Sequence, residues 1–168
     1  MERRPSRNQA KYWSLFYDLS VYFNYLQIYQ ERDQAVIRYI AIALAITSSS
    51  SIAAWAIWQE VSWLWAIIIA ASQVLNVSAG FLPYKQREKT LRTVLPQMQK
   101  LLLDCEDEYE LVVSGELTDH QIHEKTMEFK RQFSDVSNQM YACGLPQKKN
   151  YLKEAEARAR QALIAYTT

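Results

Sequence analysis

Glycine and proline are rare in this chain, and their absence leaves long segments free to form helices. The 168 residues include only three glycines and four prolines. Neither type occurs between Pro5 and Gly80, so nothing in that segment interrupts an α-helix. The alternating apolar and polar pattern of a β-strand is also missing, and no segment repeats another. These absences predict an all-α fold.

Residues that carry catalytic or metal chemistry are equally scarce. The glycines, at positions 80, 115 and 144, are too far apart to form a glycine-rich phosphate loop. Cys105 and Cys143 lack the close spacing of a metal or redox motif. The net charge of +1 gives no reason to expect nucleic-acid binding. We therefore expect a protein that is not an enzyme, that holds no cofactor or metal and that does not bind nucleic acid directly.

One polar cluster offers an alternative to that expectation. Asp119, His120, His123 and Glu124 stand together at the start of a predicted helix. The two histidines share a helix face beside a carboxylate, an arrangement that could bind a metal or respond to pH. The plainer interpretation is a solvated first turn, in which the helix dipole favours the acidic side chains.

Charge is missing from two consecutive stretches of the chain. Residues 39–59 and 61–84 contain no charged side chain, and only Glu60 lies between them. As a helix, each stretch is roughly 30 Å long or longer, which matches the hydrocarbon core of a bilayer. The alternative is a buried hairpin of a soluble bundle, but such helices normally keep a charged face toward water. The sequence therefore predicts a transmembrane hairpin with spans at about 39–58 and 61–82.

The residues around these stretches predict an orientation. Tryptophans cluster at the predicted turn, as expected of an aromatic belt at a membrane surface. The turn contains no Lys or Arg, whereas Arg32 and Arg38 precede the first span and Lys85 and Arg87 follow the second. The positive-inside rule then places both termini in the cytoplasm. Both cysteines would lie in a reducing compartment as free thiols.

Apolar residues recur at helical spacing on both sides of the predicted hairpin. Three seams follow in chain order: Tyr12, Leu15, Leu19, Tyr22, Leu26 and Tyr29; then Leu91, Leu95, Met98, Leu102, Cys105, Tyr109 and Val112; then Ile122, Phe129, Phe133, Val136 and Met140. Ser114 and Gly115 are expected to end the second helix, which Pro96 either kinks or divides. Thr118 and Gln121 have the spacing of a capping box at the start of the third.

These patterns predict three regions. Residues 1–38 form a cytoplasmic amphipathic helix, residues 39–84 the transmembrane hairpin, and residues 85–168 a cytoplasmic helical region. The narrow seams favour a helical bundle or coiled-coil stalk that forms a homo-oligomer, although a monomeric bundle uses the same pattern.

Within the predicted spans, a set of polar residues stands out. In an antiparallel hairpin they would lie at similar depth: Ser48, Ser51, Ser72, Gln73 and Asn76. They either hydrogen-bond across helices as an oligomer seam or line a water-filled pore. The absence of ionisable residues from both spans argues against a proton-coupled transporter or an intramembrane protease.

The layout as a whole resembles a known family. An aromatic leading helix, WSLFYDLSVYFNYLQIYQERDQAVIRY, precedes the charge-free pair; the basic segment KQREKTLR and the tail LPQKKNYLKEAEARARQAL follow it. This arrangement resembles the SLATT group of two-transmembrane effector domains found in bacterial anti-phage and conflict systems. The resemblance carries over no catalytic residues.

The resemblance implies a function and a setting. The chain would be embedded in the bacterial inner membrane, where it oligomerises and permeabilises or depolarises that membrane during abortive infection. An upstream sensor or nucleotide-signalling protein would control it. Two alternatives remain: a non-enzymatic, membrane-anchored scaffold that recruits a cytoplasmic partner, and an enzyme whose site is shared between subunits and uses His120 and His123.

Overall fold

The chain is all-helical throughout the part that the structure describes. The computed structural model describes residues 6–57, 83–141 and 145–166, together with single positions and short pieces between 63 and 74. Within this part, the side chains of residues 46–57, 83–86, 141 and 165 are not described. No strand occurs among the described residues, so the predicted all-α class is confirmed.

The helices with defined bounds follow one another in a simple order. They are α1 (Arg7–Ile57), α2 (Pro83–Ser114), α3 (Asp119–Tyr141) and α4 (Lys149–Leu163), the last continued by a short 3-10 helix (Ile164–Tyr166). The described positions between 63 and 74 are helical as well. Because α1 contains neither glycine nor proline, it runs for 51 residues.

Helix ends lie where local capping chemistry places them. Ser6 Oγ accepts a hydrogen bond from the Gln9 backbone N–H, and Gln9 Oε1 accepts one from the Ser6 N–H, which together form a capping box. Thr118 and Gln121 form the same reciprocal arrangement before α3, as predicted. Gly115, with φ of 79°, follows the end of α2 in the left-handed conformation that favours glycine.

Pro96 lies inside α2 without dividing it. The residue is exposed, so the carbonyl that loses its helical partner at this proline can be hydrated. Of the two outcomes considered for Pro96, the start of a new helix is therefore wrong.

The chain divides into two compact units. Residues 1–30 and 89–168 form one, here called the bundle unit, and residues 31–88 form the other, here called the central unit. The bundle unit contains the first part of α1, most of α2, and all of α3 and α4. Helix α1 contributes residues to both units.

The core of the bundle unit contains members of all three predicted seams. Its fully buried members include Tyr12, Phe16, Leu19, Leu26, Ile28, Tyr29, Leu91, Val94, Met98, Val112, Ile122 and Met140. Helix α4 adds Ala155 and Leu163, with Ala159 also buried along the same face. The seams are thus buried within one copy of the chain, because four helical segments together cover each narrow apolar face.

The predicted membrane topology is contradicted. No helix of the described residues is long and apolar enough to span a membrane. The two-span localisation in the inner membrane, with both termini cytoplasmic, is therefore wrong on this finding. Most of the predicted second span and the tryptophan-rich turn lie outside the described residues.

Candidate functional site

The polar residues predicted to line a pore are placed only in part. Ser48 and Ser51 belong to α1, but their side chains lie outside the described residues. Ser72 and Asn76 lie outside them altogether. Gln73 is helical and exposed. The structure therefore gives a position to one side chain of this set and does not bring the set together.

The central unit exposes many apolar side chains. The large ones are Val36, Tyr39, Ile42, Trp63, Ile67, Ile69 and Val74, here called the apolar surface. Tyr39 has 72% of its surface exposed. On α1, the less exposed positions Ile37, Ile40 and Leu44 follow one helix face, whereas Tyr39 and Ile42 lie on the other side. Large exposed apolar patches usually mark an interaction site, so these side chains are candidates for one.

A buried ion pair joins two helices within the central unit. Arg87 Nε lies 3.5 Å from Asp33 Oδ2, and both side chains are more than nine-tenths buried. Asp33 belongs to α1 and Arg87 to α2, so the pair links the two ends of the charge-free segment. In the sequence, Arg87 stands out only as one of several basic residues that flank the charge-free segment, and Asp33 does not stand out at all. Their separation in the chain leaves no sequence signal for this contact.

The histidine cluster is an exposed helix start. His120 Nδ1 lies 3.6 Å from Glu124 Oε2, and both side chains are mostly exposed. His123 is exposed on the same helix. Asp119 instead accepts a hydrogen bond of 2.7 Å from the Ser6 hydroxyl, which ties the start of α3 to the start of α1. No group of three or more metal-binding side chains comes together in the part of the chain that the structure describes.

An aromatic cluster fills one part of the bundle unit. Tyr12 is fully buried and packs edge-on against Phe129, while Phe16 and Trp13 contact Tyr109. The hydroxyl of Tyr166, in the 3-10 helix, donates a hydrogen bond to the Glu106 carboxylate, which raises the pKa of Tyr166 to about 12. The cluster thus attaches the end of the described chain to the bundle.

An acidic groove lies between α2 and α3. It has a volume of about 330 Å³ and is lined by Asp104, Asp107, Glu108, Leu111, Lys125, Glu128, Phe129 and Gln132. Lys125 Nζ donates a hydrogen bond of 2.7 Å to Glu108 Oε1, and this contact is the main reason that the pKa of Lys125 is raised. Acidic residues of α2 therefore form one wall of the groove.

A second groove depends on two tyrosines of α1. The hydroxyls of Tyr25 and Tyr29 both donate to the carbonyl oxygen of Pro146. The Tyr25 hydroxyl also accepts a hydrogen bond of 3.2 Å from the backbone N–H of Lys148. These contacts hold the segment before α4 against α1. Its lysine ammonium, Lys148 Nζ, lies 4.8 Å from the centre of the Tyr151 ring.

The groove formed in this way, here called the tyrosine groove, has a volume of about 310 Å³. It is lined by Asp18, Val21, Tyr22, Tyr25, Phe133, Gln147, Lys148, Lys149 and Leu152. Burial raises the pKa of Asp18, although the nearby Lys130 acts in the opposite direction. Tyr22 and Phe133 belong to the predicted seams, but the sequence gives no reason to expect a groove there, since the segment between α3 and α4 that completes it has no helical periodicity.

Comparisons of the chain with protein-family models, with characterised proteins and with solved structures give no match.

Proposed function

We propose that this chain is a non-enzymatic effector of bacterial anti-phage defence that assembles into homo-oligomers and permeabilises or depolarises the bacterial membrane under the control of an upstream sensor. The apolar surface of the central unit carries the proposal. Its side chains are almost entirely apolar, so they interact poorly with water. A surface of that kind stabilises contacts with other apolar groups by roughly 25 cal/mol per Å² removed from water.

Two features of the chain support assembly in particular. The bundle unit buries its own seams, so it can fold without consuming the apolar surface of the central unit. The Asp33–Arg87 pair holds α1 and α2 together where the charge-free segment begins and ends. We infer that the apolar surface of the central unit is available to other copies.

The polar residues of this segment have a proposed role within the oligomer. Ser48, Ser51, Ser72, Gln73 and Asn76 would form a polar seam between copies or line a passage through the assembly. Amide side chains serve either purpose because each has two donors and an acceptor that need partners or water. The exposed position of Gln73 supports this role.

Membrane integrity in bacteria that express the chain alone tests the proposal. A potential-sensitive dye and a membrane-impermeant DNA stain, used together, separate depolarisation from larger lesions. Since high expression favours assembly by mass action, depolarisation is expected without the sensor. An intact membrane in cells where cross-linking shows assembled oligomers would contradict the proposal.

A double substitution tests the polar residues within the same assay. Gln73→Leu combined with Asn76→Leu should abolish depolarisation while leaving cross-linked oligomers in place. Gln99→Leu, at an exposed position of α2 in the bundle unit, is the matched control and should depolarise like the unaltered chain. Full depolarisation by the well-expressed double variant would show that these amides do not line a passage.

A second candidate is a non-enzymatic scaffold that recruits a partner protein. The tyrosine groove favours it, because a preformed groove with apolar and charged parts is a typical recognition surface. Replacing residues 39–84 with an unrelated helical hairpin of polar surface separates the candidates. A scaffold should still recruit its partner after this exchange, whereas an effector that acts through the apolar surface should lose its effect on the membrane.

A further inference from the structure

The tyrosine groove, on the bundle unit, combines an apolar part with a charged part. We propose that it binds a short segment of a partner protein in which a large apolar side chain stands beside an Asp or Glu. The apolar side chain would occupy the space bounded by Tyr22, Phe133 and Leu152. The carboxylate would pair with Lys148 and Lys149.

The apolar part of the groove has a defined shape. Tyr22 and Phe133 meet edge-to-face with ring centroids 5.1 Å apart, which fixes both rings. Val21 and Tyr22 precede Tyr25 by four and three positions, so both lie on the face of α1 that carries Tyr25. Leu152 closes the other side from the first turn of α4 and remains 44% exposed. A volume of about 310 Å³ accommodates a large side chain together with part of its backbone.

The charged part of the groove favours an acidic group. Lys148 and Lys149 stand at the start of α4, where the helix dipole adds positive potential. The first turn of α4 contains no acidic residue, and the Lys148 side chain makes no capping hydrogen bond. Lys148 Nζ lies over the Tyr29 and Tyr151 rings, 5.8 and 4.8 Å from their centres.

Asp18 is the acidic group that faces the groove, and it belongs to α1 rather than to the lysine end. Lys130, on α3, acts on Asp18 and offsets part of its charge. The balance of the lining is therefore positive at the α4 end. This polarity orients a docked segment, with its carboxylate toward Lys148 and Lys149.

The acidic groove between α2 and α3 provides a contrast within the same unit. It has a similar volume but is lined by Asp104, Asp107, Glu108 and Glu128, and its one lysine is paired with Glu108. An acidic segment would be repelled there. Selective binding of acidic, apolar peptides is thus expected of the tyrosine groove and not of the acidic groove.

The inference rests on the proposed function only in naming the surface through which a controlling partner would bind. Peptide binding can be measured without any effect on membranes. A chain that depolarises bacteria but selects no such peptide would contradict the docking site alone, and a chain that binds the peptide but leaves membranes intact would contradict the effector proposal alone.

Selection of displayed random peptides on the immobilised full chain is the test. We expect the enriched sequences to share a Trp, Phe, Leu or Ile beside an Asp or Glu. Synthetic peptides of the enriched sequence should bind Leu152→Asp and Lys149→Glu at least about tenfold more weakly than the unaltered chain, a loss of about 1.4 kcal/mol. Circular dichroism of each variant confirms that the helices remain.

Two control variants match the test variants in chemistry but lie outside the groove. Leu103→Asp changes a leucine of α2 that is exposed to a similar extent, 52%. Lys153→Glu changes an exposed lysine of the same helix, α4. Both should bind the peptide like the unaltered chain. Enriched peptides without the shared pattern, or equal binding to Leu152→Asp and Leu103→Asp, would overturn the proposal.

Discussion

Tyr12 combines a fully buried ring with a polar group that has a partner. Its hydroxyl donates a hydrogen bond of 2.9 Å to the carbonyl oxygen of Cys105. Burial, followed by this contact, strongly raises the pKa of Tyr12. The same burial raises the pKa of the Cys105 thiol to about 11. Aromatic and sulfur groups in this core are therefore held in their neutral forms, and their packing depends on that state.

The Cys105 thiol makes the stability of the bundle unit sensitive to alkali. Because its pKa in the folded chain lies above the ordinary value of 9.0, the thiol ionises first in the unfolded chain as the pH rises. Its contribution is complete below pH 9 and is lost as the pH rises toward about 11. The loss of this contribution should lower the free energy of unfolding in urea by about 2–3 kcal/mol between pH 9 and about pH 11.

Substitution of each cysteine assigns this effect. Cys105→Ala should remove the part of the decline between pH 9 and 10, before the tyrosines ionise in the unfolded chain. Cys143→Ala should retain it. The assignment would be refuted by an equal slope in the unaltered chain and in Cys105→Ala.

Ser137 offers a second test at this scale. Its hydroxyl is buried and has no hydrogen-bond partner among the described residues. An unpaired buried hydroxyl destabilises the folded chain by about 1 kcal/mol or more. Ser137→Ala removes this hydroxyl and should therefore raise the free energy of unfolding. Ser134→Ala, at an exposed position of the same helix, measures the gain from helix propensity alone. Equal gains would indicate that the Ser137 hydroxyl has a partner such as water.

At the scale of elements, helix ends follow local chemistry and helix partners do not. Thr118 and Gln121 cap α3 because their groups are three residues apart, a distance that any α-helix brings into contact. Gly115 ends the preceding turn because it adopts a positive φ without steric cost. These features could be predicted from the sequence. The segment before α4 packs on α1 through hydrogen bonds from the Tyr25 and Tyr29 hydroxyls to the Pro146 carbonyl oxygen. No local sequence pattern indicates this contact.

The ion pair of the central unit leads to a prediction for these elements. Asp33→Asn and Arg87→Gln should each destabilise the contact of α1 with α2 by about 3 kcal/mol, because each removes one charge of a buried ion pair. The double variant should lose less than the sum of the two. Hydrogen exchange of the amides of residues 31–38 measures the effect within the central unit.

A surface ion pair provides the control for that measurement. Arg158 and Glu154 are an i,i+4 pair on α4 with an N–O distance of 2.8 Å and partial exposure. Glu154→Gln should change stability by less than about 1 kcal/mol. Additive losses in the Asp33 and Arg87 variants would show that the two charges do not act as a pair.

At the scale of the whole molecule, the two units differ in where their apolar side chains lie. The bundle unit contains the buried seams, whereas the central unit exposes Tyr39, Trp63 and Val74. Because residues 39–84 contain almost no charge, the sequence predicted a transmembrane hairpin there. That prediction is contradicted, because no helix of the described residues is long and apolar enough to span a membrane. The resemblance to SLATT effectors and the pore-lining residues stay predictions.

Self-association is the prediction that belongs to this scale. Sedimentation of the purified chain should show a mass that rises with concentration. Ile42→Glu and Ile67→Glu, both in the apolar surface, should shift the chain toward the monomer by at least about tenfold in dissociation constant, since each would bury an unpaired charge between copies. Val113→Glu, at an exposed apolar position of the bundle unit, should leave association unchanged. Association that is insensitive to Ile42→Glu and Ile67→Glu would exclude this surface.

The sequence by itself determined the helical class, the apolar seams and several helix ends, because these depend on periodicity and on groups only a few residues apart. Only the tertiary structure decided that the seams are buried within one copy, that Asp33 meets Arg87, and that α1, α3 and the segment before α4 enclose the tyrosine groove. These outcomes require residues far apart in the chain to come together. That meeting depends on the packing of whole helices, which the periodicity of a single segment does not specify.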